Sequence, residues 1–209
     1  MKIVSSRLTR TLVAPALLAA ALLAAAPAAM AQPAPIGVRG TVTAVAGDSL
    51  KVRTRTGQEI DVSLTKDTAG RAVTLAKVDE IKAGSYIGSA AVPPADGSLK
   101  ALEVHVFPPS MRGSGEGHRA WDLGKNSSMT NGTVGNVVVS NGRTITVKYP
   151  DGEKRIVIPD DVPIVNLEPG DRSLLAPGVH VVLFASKAAD GALSARFISA
   201  GKHGVVPPM

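Results

Sequence analysis

The stretch "RGTVTAV", residues 39–45, recurs 92 positions later as "NGTVGNV", residues 131–137. Two further pairs keep the same order, "VTL" (73–75) with "VNL" (165–167) at 92 positions and "PADGSLKA" (94–101) with "AADGALSA" (188–195) at 94. Ordered matches at a nearly constant offset indicate a duplicated unit. The sequence therefore predicts two similar modules in tandem, related by an internal repeat.

Each module has the pattern of an all-β domain, because short alternating segments are separated by glycine-containing turns such as those at 96–97, 141–142 and 190–191. The predicted strands cover residues 38–46, 49–55, 59–64, 86–92 and 99–107, then 133–140, 144–149, 154–158, 180–186 and 192–200. A short helical turn is expected near 78–81. Three strands, a helical turn and two strands are typical of a small five-stranded OB-like barrel. An open sandwich or roll is the alternative.

The first 31 residues have the pattern of a secretory signal peptide. Lys2, Arg7 and Arg10 precede an apolar run at 12–26, and the small residues of 29–31 suit cleavage before Gln32. A second long apolar run does not follow, so no transmembrane segment is expected after signal removal. We therefore expect an exported protein, periplasmic or secreted.

The repeats and turns predict four segments after the signal. These are a first β-domain at 36–108, a glycine-rich linker with the single tryptophan at 109–130, a second β-domain at 131–200 and a tail at 201–209. Tails of this kind are usually frayed.

The linker contains Trp121 although it shows neither strand nor helix periodicity. Flexible linkers are built from Gly, Ser and Pro, so a large apolar side chain needs another explanation. We expect Trp121, with Met111, Leu123 and Met129, to pin the linker against one or both barrels. Glycines at 113, 115 and 117 would permit close approach or a positive φ.

"MRGSGEGHRAWDL", residues 111–123, followed by "MTNGTV", residues 129–134, resembles a segment of an uncharacterised family of secreted proteobacterial proteins built from small β-domains. The resemblance covers the linker and, more loosely, both modules. It implies an exported β-protein, and it implies no activity and no site residues.

The linker also concentrates polar side chains that can bind a ligand. A small anion would suit the arginines, the histidine and glycine-freed backbone amides. The candidate ligand-binding residues are Arg112, Glu116, His118, Arg119, Trp121 and Asp122. The alternative is a purely structural role, in which these side chains pair with one another and form hydrogen bonds to backbone groups of the loop.

A metal site is a second hypothesis for the same segment. Met111, His118 and Met129 carry ligand types that suit a copper-like ion. Methionines beside a tryptophan are equally typical of packing, and no cofactor is expected.

Composition excludes several classes of function. Cysteine is absent, so disulfides, thiolate metal sites and cysteine nucleophiles are excluded. Signal removal takes three positive charges from a formal net charge of +6, and the chain has six aromatic residues, so nucleic-acid binding is not expected. No catalytic motif is recognisable. We therefore expect a non-enzymatic binding or accessory protein whose linker contacts a periplasmic protein or a small anionic ligand, with a metal or small-anion binder as the alternative.

Overall fold

The computed structural model describes residues 35–94, 98–139 and 143–209. The predicted signal peptide at 1–31 and the predicted turns at 96–97 and 141–142 lie outside the described residues. The protein is all-β, with a closed five-stranded barrel and further strands. Its strands are β1 (Ile36–Ala46), β2 (Ser49–Thr54), β3 (Glu59–Leu75), β4 (Tyr86–Val92), β5 (Leu99–Val106), β6 (Gly117–Ala120), β7 (Ser128–Val139), β8 (Arg143–Tyr149), β9 (Gly152–Ile158), β10 (Ile164–Gly170), β11 (His180–Lys187) and β12 (Leu193–Gly201). Three short 3-10 turns cover Val78–Glu80, Pro109–Met111 and Arg172–Leu174.

The closed barrel, which we call the first ring, contains β1, β2, β3, β12 and β11 in that order. Its pairings are antiparallel except for β3 with β12, which run parallel. Alternate residues of these strands point inward. They form a core of aliphatic side chains that includes Leu50, Val52, Val62, Leu183 and Ile198.

A second ring of pairings contains β4, β5, β9, β8 and β7. It closes through a short parallel pairing of β5 with β9, at Leu99–Ile156 and Lys100–Val157. Its interior is also aliphatic, and it includes Ile87, Ile145 and Ile156.

Strand β10 connects the two rings, since it pairs antiparallel with the second half of β3 and parallel with β5. A third core, which contains Tyr86, Phe107, Leu167, Val182 and Met209, is made of residues from both rings and from the tail. The strands and turns at 35–94, 98–139 and 143–209 therefore form one compact unit.

The domain boundaries predicted at 36–108 and 131–200 require each ring to be built from one continuous segment of the chain. In the structure, each ring takes strands from both halves. The first ring takes β11 and β12 from the C-terminal half, and the second ring takes β4 and β5 from the N-terminal half. The reason is β3, which continues to Leu75 beyond its predicted end at residue 64 and pairs with β10. The β4–β5 hairpin consequently begins beside β7.

The predicted frayed tail is packed against the protein. Met209 is 6% exposed, and its main-chain oxygen accepts a hydrogen bond of 2.9 Å from Nε of Arg39. Gly201 allows the chain to fold back, because a Cβ there would collide with the carbonyl oxygen of Val205. Within the described ranges, no helix has the length and apolar character needed to cross a bilayer.

Candidate functional site

A cleft of about 660 Å³ lies where the two rings and the linker meet. Four aromatic side chains line it, Phe107 from the second-ring side, Trp121 from the linker, and Phe184 and Phe197 from the first ring. Trp121 packs on Phe184 with ring centroids 5.5 Å apart, and Phe184 packs on Phe197 at 5.2 Å. These rings give the cleft a continuous apolar wall.

The linker forms one side of this cleft because it is attached to both rings. Its strand β6 pairs with β7 of the second ring. Asp122 accepts two hydrogen bonds, of 2.6 and 2.9 Å, from the guanidinium of Arg39 on β1 of the first ring. Gly113, Gly115 and Gly117 all have positive φ, which lets the short segment turn without strain on a side chain.

Two arginines stand over the aromatic wall. The guanidinium of Arg71 lies 4.9 Å from the centroid of Phe197, and that of Arg119 lies 5.4 Å from the centroid of Trp121. Burial lowers the pKa of both arginines. Among the described residues, neither guanidinium has a carboxylate within ion-pair distance. Neither charge is therefore balanced by an ion pair. Arg71 is the more buried of the two, whereas Arg119 is exposed and donates a hydrogen bond of 2.7 Å to the main-chain oxygen of Gly115.

Asp122, the acid that lines the cleft, does not neutralise them. Its hydrogen bonds from Arg39 hold the pKa of the Asp122 carboxyl below its usual range, and burial opposes this shift. Asp122 and Arg39 therefore compensate one another. Among the described cleft-lining side chains, Arg71 and Arg119 therefore carry the positive charges that have no ion-pair partner.

The second-ring side of the cleft is polar. His105, which is buried, lines the cleft, and its Nδ1 lies 3.0 and 3.2 Å from the two carboxylate oxygens of Glu103. Glu103 is fully buried and also accepts a hydrogen bond of 2.8 Å from the backbone N–H of Ala90. Asn131, which is 4% exposed, lines the same region.

The site places the six predicted ligand-binding residues in two groups. Arg119, Trp121 and Asp122 line the cleft. The other three lie outside it. Arg112 donates hydrogen bonds to the carbonyl oxygen of Gly84 and the hydroxyl of Thr133. His118 forms a hydrogen bond with the Thr130 hydroxyl and stacks on Tyr149, and Glu116 is exposed. Within β6, alternation separates His118 from Arg119, because adjacent residues of a strand point to opposite faces.

The same alternation separates the proposed metal ligands. His118 lies opposite Thr130 and Arg119 lies opposite Met129, so the side chains of His118 and Met129 are on opposite faces of the β6–β7 pair. Met129 is buried, and Met111 packs against the core between the rings. These three residues do not converge on one point.

Sequence reasoning missed Arg71, His105 and Asn131. Arg71 lies in a stretch that shows no clear alternation, and Asn131 lies in a repeat motif, for which a structural role is the ordinary expectation. The signal for His105 was present, because residues two apart in a strand share a face and Glu103 is two positions before it.

The contacts of Trp121 predict a measurable role in stability. Replacing Trp121 by alanine should lower the free energy of unfolding by about 2 kcal/mol, since a partly buried indole and its contact with Phe184 are lost. Urea unfolding followed by circular dichroism measures this change. Val206→Ala, which truncates an exposed side chain, is the control. A loss below about 0.5 kcal/mol would show that Trp121 does not hold the linker.

Comparisons of the chain with protein-family models, with curated proteins and with solved structures found no match.

Proposed function

We propose that the protein is an exported, non-catalytic binding protein whose cleft holds a small ligand with an apolar body and an anionic group. The observation that carries this proposal is the pair of arginines, Arg71 and Arg119, over an aromatic wall. An anion bound at these guanidinium groups would compensate positive charge that no described carboxylate pairs with.

The size of the cleft supports a small molecule as the ligand. Pockets for small molecules measure about 300–1,000 Å³ and combine apolar walls with a few polar groups, and this cleft has about 660 Å³. Trp121 has a buried Nε1 with no hydrogen-bond partner among the described residues. A ligand acceptor at this point would satisfy that donor.

The linker is central to this proposal. Arg119 and Trp121 belong to it, and Asp122 attaches it to the first ring. An exported location rests on the signal-like N-terminus, residues 1–31.

We further propose that the chain is a duplicated OB-like unit in which the last two strands of each copy have been exchanged. Three features of the pairing support this. Val42 exchanges two main-chain hydrogen bonds with residues 178–179, and Val134 exchanges two with residues 84–85. Register shifts follow Val42 and Val134, which are 92 positions apart. Each ring has one parallel pairing, β3 with β12 in the first ring and β9 with β5 in the second, and each joins the last strand of a three-strand run to the second strand of the exchanged pair.

Binding of matched acids and amides tests the proposed function. Calorimetry should show saturable binding of 3-phenylpropionate or a longer phenylalkanoate, and binding at least tenfold weaker for the corresponding neutral amide. Arg71→Met and Arg119→Met should each weaken binding of the acid by about tenfold, since each removes a charge-assisted interaction. Arg196→Met, which removes an exposed arginine, is the control.

Equal affinities for acid and amide, or the absence of saturable binding by every member of the series, would contradict the proposed function. A loss of affinity in Arg196→Met as large as that in Arg71→Met would attribute the effect to general charge.

A further inference from the structure

The polar end of the cleft has no counterpart in the first ring, although the two rings pair their strands in the same way. In the second ring, Ala90 pairs with Glu103 and Gly88 pairs with His105. In the first ring, the pairs at the corresponding places are Phe184–Phe197 and Val182–Ser199. The architecture therefore does not require a buried carboxylate and imidazole here, and their presence needs another explanation.

The local contacts show which side-chain atoms of His105 and Asn131 are left for another partner. Glu103 accepts from Nδ1 of His105, so Nε2 is the ring nitrogen left for other partners. The side-chain amide of Asn131 donates from Nδ2 to the carbonyl oxygen of Ser114 at 3.1 Å. This bond orients the amide and leaves Oδ1, which is buried and has no hydrogen-bond partner among the described residues.

Gly88 brings these two atoms together. A Cβ at Gly88 would collide with both Nε2 of His105 and Oδ1 of Asn131, so the two atoms are neighbours above the same glycine. Oδ1 of Asn131 is a buried acceptor without a donor, so folding removes its hydrogen bonds to water and gives none in return, which costs free energy. A ligand that supplies a donor there would remove this cost.

We infer that this end of the cleft is a subsite for a hydroxyl group, so that the ligand is a hydroxylated apolar acid. The inference rests on the proposed function, which places the anion at Arg71 and Arg119. A hydroxyl donates to Oδ1 of Asn131 and can either accept from or donate to Nε2 of His105. It therefore fits the imidazole in either protonation state, which a group that only donates does not.

A matched pair of probes tests the subsite. The full chain is titrated with 3-phenylpropionate and with 3-(4-hydroxyphenyl)propionate, and with longer homologues of both, by calorimetry. The hydroxylated acid should bind about tenfold more tightly at the length that spans the cleft, as expected for one added hydrogen bond to a buried acceptor.

Two variants of β7 test whether the preference for the hydroxylated acid comes from the side chain of Asn131. Asn131→Leu should reduce the preference for the hydroxylated acid to less than about twofold, because the apolar side chain has no acceptor. Asn136→Leu, on the same strand and exposed, should keep it. The measurement on the unaltered protein does not depend on whether Asn131→Leu folds.

Each outcome has one meaning. Equal affinities of the two acids for the unaltered protein, with binding still weakened by Arg71→Met, would overturn the subsite and leave the proposed function standing. A preference that persists in Asn131→Leu would also overturn the subsite. Failure of every acid in the series to bind would overturn both proposals.

Discussion

Replacing Gly40 by alanine is expected to lower the free energy of unfolding by about 3 kcal/mol, the upper part of the range for overpacking a close contact. A Cβ at Gly40 would collide with the carbonyl oxygen of Arg53 and the side chain of Val52 on the neighbouring strand. The carbonyl belongs to the β1–β2 pairing and cannot move without breaking the barrel. Gly132 meets the carbonyl oxygen of Lys148 in the same way, so Gly132→Ala should have a similar effect.

Gly124→Ala is the matched control, because a Cβ there makes only an ordinary contact of 3.8 Å with Leu102. Urea unfolding of the three variants measures the differences. If Gly40→Ala and Gly124→Ala unfold at the same urea concentration, the close approach of β1 and β2 described above is wrong.

His105→Ala should have an effect of comparable size, about 3 kcal/mol at neutral pH. The side chain of Glu103 has no exposed surface and that of His105 is 6% exposed. Removing the imidazole leaves a buried carboxylate without its partner, which is strongly destabilising. Chemical denaturation measures the loss, and Ser199→Ala, at the corresponding position of the first ring, should cost less than about 1 kcal/mol.

A double variant distinguishes this electrostatic cause from the loss of packing. Glu103→Gln removes the charge and keeps an oxygen that can accept from the backbone N–H of Ala90. The combination Glu103→Gln with His105→Ala should therefore regain about half of the stability lost in His105→Ala. A double variant less stable than His105→Ala would refute a charge-based explanation.

Local sequence signals predicted most strands but not how the rings share them. Alternation identifies β4 and β5, which are close in the chain and pair antiparallel. The same hairpin can close either ring, because its partner strand is far away in sequence. The pairing of β3 with β10 decides the outcome, and the alternation of residues 65–75 is too weak to have indicated a strand.

The candidate site was predicted in part for a similar reason. Arg119, Trp121 and Asp122 were accessible to sequence reasoning because an apolar residue in a glycine-rich linker is unusual. Arg71 and Asn131 reach the cleft only through pairings between distant strands, on β3 and β7. No pattern in the sequence places them beside Trp121.

The most direct test of a ligand cleft uses the indole N–H of Trp121 as a probe. Trp121 is the single tryptophan, so the protein has one indole N–H resonance in a nitrogen–proton correlation spectrum. Adding the phenylalkanoate that binds should shift this resonance saturably, at the concentrations that calorimetry gives, because Trp121 lines the cleft. An indole resonance that stays unchanged while the acid binds to saturation would place the ligand elsewhere and contradict binding in the cleft beside Trp121.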